Sequence, residues 1–328
     1  MDSFNALLTK EVDSGQYLTD LATLPIDFLS SHEVMIQVDF SSLNYKDALS
    51  ANGHKGITKT FPHIPGIDAA GRVLSDSSGR FIQGQEVLVT GFDLGMNTNG
   101  GLSERISVPA NWVLPLPPKM GLRKSMELGT AGLTAGLALS ALQENNIQTH
   151  SGPIVVTGAT GGVGMLSILL LKKLGYKVIA LTGKQGQKSF LLNLGADEVI
   201  FREDFLLEQH RAMYPMQFAG AIDTVGGEVL VKLLKSLKFS GAIAACGMAS
   251  GTDLNLQIYP FILRGARLLG IFSADATAEK KAEIWKKFAN EWSIDCSSIV
   301  QEITLKEAPY ELSEMLKGAS FGRKLVKI

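Results

Sequence analysis

Val155-Val156-Thr157-Gly158-Ala159-Thr160-Gly161-Gly162-Val163-Gly164 is the stretch on which the fold depends. An apolar strand, Pro153 to Thr157, runs into a glycine-rich turn, and Met165 to Leu174 follows as a helix that stops at Gly175. The strand-turn-helix setting is what gives such a glycine pattern meaning. Glycines allow the tight turn and let backbone N–H groups approach a pyrophosphate, while the helix N-terminus adds partial positive charge. Ala159 replaces the first glycine of the usual fingerprint, leaving A-x-G-x-x-G with Gly161 and Gly164 in place. The bland alternative is a strand-to-helix turn that holds nothing.

Downstream, Lys177 to Leu181 forms the next apolar strand. A carboxylate at the end of that strand holds a ribose 2′-hydroxyl, as in NAD sites. Here the chain reads Leu181-Thr182-Gly183-Lys184, with no carboxylate. A hydroxyl and an ammonium suit a 2′-phosphate, so the expected cofactor is NADP(H). Lys184 taken alone has the plain alternative of a solvated surface lysine. A helix over Gln187 to Leu194, capped by Gly195, leads to strands at Glu198 to Phe201, Gly220 to Asp223 and Ala242 to Ala245. Alternating apolar strands and helices imply an α/β, doubly wound parallel sheet.

Upstream the character changes. Val34, Ile36, Val38 and Phe40 alternate with Met35, Gln37 and Asp39, the period of a half-buried strand. Glu86 to Thr90 reads as another strand, and dense glycine and proline punctuation over the first 110 residues suggests a β-rich barrel or sandwich. The cluster Pro115, Pro117, Pro118 marks a boundary, with Lys124 to Leu142 helical beyond it. At the far end, a strand at Leu268 to Phe272, a helix over Ala278 to Trp292, and strands at Glu302 to Leu305 and Lys324 to Lys327 are expected. The expected division is 1–118, 119–267 and 268–328.

The chain has 328 residues, 31 Lys+Arg against 32 Asp+Glu, and a formal net charge of −1. That balance leaves no basic field for nucleic acid or acidic lipid. Two cysteines, Cys246 and Cys296, cannot build a four-thiolate zinc site or a disulfide framework. His32, His54, His63, His150 and His210 show no metal-binding spacing and read as surface or turn histidines, and Cys246 as a small buried hydrophobe. No signal-peptide pattern opens the sequence, and the longest apolar stretch, Met165 to Leu171, is too short to span a membrane. A cytoplasmic protein is expected.

Six motifs occur in order. They are Ser42-Leu43-Asn44-Tyr45-Lys46-Asp47, Ile64-Pro65-Gly66-Ile67-Asp68-Ala69-Ala70-Gly71, Gly129-Thr130-Ala131-Gly132-Leu133-Thr134-Ala135, the Val156 to Gly164 turn, Gly220-Ala221-Ile222-Asp223-Thr224-Val225-Gly226, and Pro260-Phe261-Ile262-Leu263-Arg264-Gly265. Over essentially its whole length the chain resembles the zinc-free medium-chain dehydrogenase/reductases, in the quinone oxidoreductase class and its acrylyl-CoA reductase group. The resemblance implies a Rossmann domain inserted in a β-rich GroES-like catalytic domain, and a homodimer. Where zinc relatives carry Gly-His-Glu, this chain has Gly66-Ile67-Asp68, without the ligand histidine.

By the same resemblance, Tyr45 lies near the nicotinamide, Thr160, Gly161, Gly162 and Val163 hold the pyrophosphate, and Thr182, Gly183 and Lys184 face the 2′-phosphate. Arg202 falls near the adenosine, and Met248, Ile262 and Ser273 line the cofactor. Tyr45 has a plain alternative as a core aromatic, Arg202 as a surface arginine, and Asn44 to Asp47 as a solvated turn. The implied activity is NADPH-dependent reduction of an activated C=C bond in acrylyl-CoA or a related enoyl thioester, with Tyr45 or water as proton donor. Reduction of a quinone or enone is the second reading, and a non-enzymatic NADPH-binding protein the third. Lys46, Lys55, Lys59, Arg264, Arg267 and Arg323 are available for CoA phosphates but form no motif.

Overall fold

The computed structural model describes residues 3–207 and 211–328, so the expectation for His210 lies outside the described residues. Two compact units emerge. The first comprises Met1–Thr130, Ser273–Glu291 and Cys296–Ile328, the second Ala131–Phe272 and Trp292–Asp295.

The first unit opens with a long antiparallel hairpin, β1 (Ser3–Asp13) and β2 (Gln16–Pro25). Then come β3 (Val34–Ser42), α1 (Tyr45–Ala51), β4 (Asp68–Asp76), β5 (Glu86–Thr90), β6 (Arg105–Val108), β7 (Leu114–Pro115) and the start of α2 (Leu122–Glu144). The second unit carries β8 (Ile154–Thr157), α3 (Gly162–Lys173), β9 (Val178–Thr182), α4 (Lys188–Leu194), β10 (Glu198–Phe201), α5 (Arg202–Leu206), β11 (Phe218–Asp223), α6 (Gly227–Ser236), β12 (Leu237–Ala245), α7 (Tyr259–Arg264) and β13 (Arg267–Gly270). The chain then returns to the first unit with α8 (Ala278–Ala289), β14 (Val300–Thr304), α9 (Ala308–Leu316) and β15 (Arg323–Lys327).

In the first unit the sheet runs β14-β15-β3-β4-β5-β7, with β6 on β3. The alternation read from β3 places Val34, Ile36 and Val38 in a core with Val73, Val87, Val89, Ile106 and Val108. β-branched side chains pack well on such a pleated, half-buried surface. The second unit is a wholly parallel sheet in the order β10-β9-β8-β11-β12-β13. The strand order reverses between β8 and β11, and ligands bind outside the carboxyl ends of strands at such a switch point.

Several expectations need correction. The helix expected over Lys124 to Leu142 is broken at Gly129, whose φ of 52° and ψ of −155° are not helical. A Cβ there would fall 2.3 Å from Ser42 Oγ and 2.5 Å from Asp68 Oδ2, so only glycine fits. The first unit ends at Thr130, just past this break and beyond the proline cluster. The strand near Leu268 is the edge of the parallel sheet, so the first unit resumes at Ser273 rather than at residue 268. Asn44 to Asp47 is no solvated turn: it is a helix start, because Asn44 and Asp47 form a reciprocal capping box. His63 is buried against Thr9 and Phe61, and Cys246 is only half-buried, its Sγ–H donating to Asp223 O at 3.3 Å.

Candidate functional site

At the carboxyl end of the parallel sheet, β8 and β11 are locked together. Thr157 Oγ1 donates to Asp223 Oδ1 (2.7 Å) and accepts the Thr224 N–H (2.9 Å). Asp223 Oδ2 accepts the Gly226 N–H (2.9 Å), and burial pushes the Asp223 carboxyl above its usual range. Beside this lock the chain turns into α3 with Gly161 as a cap that has no side chain to satisfy the first-turn N–H groups. Those of Gly162 and Val163 have no partner within the helix. Gly164 lets the helix pack onto the strand, since a Cβ there would meet Gly158 O at 2.3 Å. First-turn N–H groups without partners in the helix, at a glycine-rich helix start, fit a pyrophosphate.

Thr182, Gly183 and Lys184, expected at the 2′-phosphate, stand at the end of β9, and Arg202, expected near the adenosine, comes beside Gly183. Thr182 ends β9, and its Oγ1 accepts the Lys184 N–H at 3.1 Å. Phe201, the last residue of β10, is in register with Thr182, which brings Arg202 alongside. The Arg202 guanidinium carbon lies 3.3 Å from where a Gly183 Cβ would stand. Met248 is exposed on the loop after β12, its Cα 3.4 Å from the Cβ position of Gly226. Ile262 is an exposed residue of α7. Tyr45 and Ser273 belong to the first unit.

Tyr45 is the first residue of α1 and 58% exposed, which sets aside the core-aromatic alternative. Behind it lies a buried polar cluster that the sequence did not single out. Asp68 accepts from Ser42 Oγ (2.7 Å), Asn44 Nδ2 (2.8 Å), the Thr130 N–H (2.8 Å) and Thr130 Oγ1 (2.6 Å). Arg323, fully buried, donates to Leu43 O (3.0 Å), Asn44 Oδ1 (3.3 Å) and Glu127 O (3.3 Å). Burial pushes its guanidinium down, and the Asp68 charge holds it up. Among the described residues its Nη2 has no hydrogen-bond acceptor, so that charge is its main compensation. Where zinc relatives place the histidine, Ile67 instead gives its N–H to Asp47 Oδ1 (2.8 Å). Among the described residues no three His, Cys, Asp or Glu side chains gather to hold a metal ion.

Asp47 is raised to about 7, first by burial and then by Asp68, against the pull of the Asn44 and Ile67 N–H groups. Between the ordinary carboxylate value of 3.8 and about 7, the folded chain holds a proton that the unfolded chain has lost. Stability from this group is therefore full below 3.8 and is lost as pH rises through about 7. Wild type should lose urea midpoint relative to Asp47→Asn between pH 5 and pH 8. A difference that stays constant over that window would refute the shift.

Residues 30–118 match the family described as "Alcohol dehydrogenase GroES-like domain", and residues 162–290 the family "Zinc-binding dehydrogenase". The chain is 36% identical to the acrylyl-CoA reductase AcuI of Ruegeria pomeroyi, covering 99% of each. The YhdH oxidoreductase of Salmonella enterica, solved in complex with NADP, is 40% identical over 99% of each chain, with a TM-score of 0.94. Bacillus subtilis YhfP, solved with NAD bound, is 38% identical over 100% of each, with a TM-score of 0.97. With a GroES-like unit, a parallel dinucleotide sheet and full-length relatives of this kind, the chain belongs to the medium-chain dehydrogenase/reductases, in the zinc-free group of quinone oxidoreductases and acrylyl-CoA reductases.

Proposed function

We infer that the chain is an NADPH-dependent reductase of activated C=C bonds, with acrylyl-CoA or a related enoyl thioester as substrate class. The observation that carries this is the glycine-rich start of α3 at the carboxyl end of the parallel sheet, with the Arg202 guanidinium against Gly183 at the end of β9. When bound, the dinucleotide supplies the hydride. Thr160, Gly161, Gly162 and Val163 hold its pyrophosphate through backbone N–H groups. Thr182, Gly183, Lys184 and Arg202 receive the 2′-phosphate, the two cations giving charge-assisted bonds. Met248, Ile262 and Ser273 line the remainder.

Hydride addition at the β-carbon leaves an enolate on the substrate. Tyr45, with its exposed ring at the head of α1, gives a proton to the α-carbon. Tyr45→Phe should lower kcat by about tenfold or more, with the NADPH Kd unchanged. An unchanged kcat would assign the proton to water.

One observation favours quinone or enone reduction. Arg264 donates to the carbonyls of Tyr214, Lys235 and Leu237, Arg267 to that of Asn145, and Arg323 is buried. Three of the six cations considered for CoA phosphates are thus engaged elsewhere. Parallel assays of NADPH oxidation with acrylyl-CoA and benzoquinone decide between the two. Turnover of neither, with NADPH bound, overturns the enzymatic reading.

A second copy of this chain is the partner we favour. Among the described residues the edge strand β13 pairs only with β12, and Leu263 is exposed on the preceding helix. A monomer mass by light scattering would reject it. Both cysteines are free, in keeping with a reducing, cytoplasmic setting, and no helix of the described residues is long and apolar enough to cross a membrane.

A further inference from the structure

We propose that Lys281 is a positioning residue for the reduction: its side chain ties the Ser273–Ala274 backbone to the hydrogen-bonded frame that holds Tyr45. The proposal rests on the functional reading above. Lys281 reaches inward from α8 and has no exposed surface. Its Nζ donates to Thr90 O (2.7 Å) and to Ala274 O (2.8 Å), and it lies 3.3 Å from the centre of the Phe92 ring. Lysines are almost never fully buried unless paired. Here two carbonyls and a ring face stand in for a carboxylate. The charges that face it are Asp275, just ahead of α8, and Asp68 on β4, which oppose the downward push of burial.

The contacts of this amine extend in two directions. Ala274 O also accepts the Phe92 N–H (2.9 Å), so the return segment is joined to the loop after β5 at a single carbonyl. Phe92 itself stacks on Trp112, with ring centres 5.6 Å apart and planes 5° from parallel. In the other direction, Gly91 follows Thr90 and gives its N–H to Ile67 O (2.8 Å). Ile67 gives its own N–H to Asp47 Oδ1, and Asp47 caps the helix that begins with Tyr45. Ser273, expected at the cofactor, and Tyr45, the proposed proton donor, are thus anchored to one frame. An apolar residue of the same length would fill the space but leave Thr90 O without this donor and Ala274 O with Phe92 alone. Small displacements of reacting groups are costly in rate.

Lys281→Met keeps the volume and removes the bonds. The expected result is a kcat for acrylyl-CoA lowered about tenfold and an NADPH Kd raised by a similar factor, both in folded enzyme. Phe92→Leu leaves the two carbonyl bonds and should show the same pattern more weakly. A lowered urea midpoint with wild-type kcat and NADPH Kd would mean a purely structural lysine and would overturn the proposal. Should Lys281→Met not fold, Lys281→Gln, whose shorter amide gives up the present Nζ bonds, decides: weakened kcat and NADPH binding in folded enzyme support the pin, and wild-type values for both refute it. A wild-type enzyme that binds NADPH but reduces neither thioester nor quinone overturns the functional reading instead. The NADPH Kd of the two variants then still decides the role of Lys281.

Discussion

Asp68→Ala lowers the stability of the protein by about 3–5 kcal/mol, the expected cost of leaving a buried charge without its partner. The carboxylate accepts four hydrogen bonds and is the charge that compensates Arg323, which has no exposed route to water. Removing it takes an acceptor from Ser42, Asn44 and Thr130 and the compensating charge from the guanidinium. The contrast with a double variant is informative. Replacing both charges, as Asp68→Asn with Arg323→Met, should cost clearly less than the sum of the two single changes, because no uncompensated charge remains buried. Urea denaturation of the four proteins measures this coupling. Additive losses would show that the two side chains do not sense each other. Activity should fall with stability in Asp68→Ala, since Asn44 both bonds to Asp68 and caps the helix headed by Tyr45.

The second large effect concerns the choice of dinucleotide. Removing both Lys184 and Arg202 as alanines should lower kcat/KM for NADPH by about 10²–10⁴, while NADH changes little. Each charged contact to a phosphate is worth about 1.5–3 kcal/mol, and about 1.4 kcal/mol is tenfold. The comparison is pointed because one close structural relative was solved with NADP and another with NAD. Equal losses with both dinucleotides would move the 2′-phosphate away from this cluster. The single Arg202→Ala change is the sharper half of the test, because its guanidinium already lies against Gly183.

Local chemistry made part of this molecule readable. The turn from Val155 to Gly164 announces itself, since a strand, a tight glycine turn and a helix leave few other solutions. The strand at Glu86 to Thr90 appears with the expected ends, because its apolar run is bounded by a clear turn. Other features depend on partners distant in the chain. Asp68 and Arg323 look like ordinary charged residues until the fold brings them together beside Gly129. Lys281 sits in a helix rich in lysine and glutamate, and only the fold turns it inward. The run Asn44 to Asp47 looks like a polar turn because a capping box is made of polar residues. Recognising Asp47 three residues after Asn44 would have revealed the helix start. The edge strand near Leu268 carries no mark of which sheet it joins, since an apolar segment of that length suits either.

The order in which the sheets are assembled has a consequence for synthesis. The second unit is almost contiguous in sequence, so its strands are available to one another once residue 272 has been made. The first unit is different: Phe40 pairs with Lys327 and Ser42 with Leu325, so β3 waits for the last residues of the chain. Until then the Phe40–Ser42 end of β3 offers unpaired backbone to any passing strand. The emerging protein should therefore expose this strand end to aggregation while the inserted unit is already made.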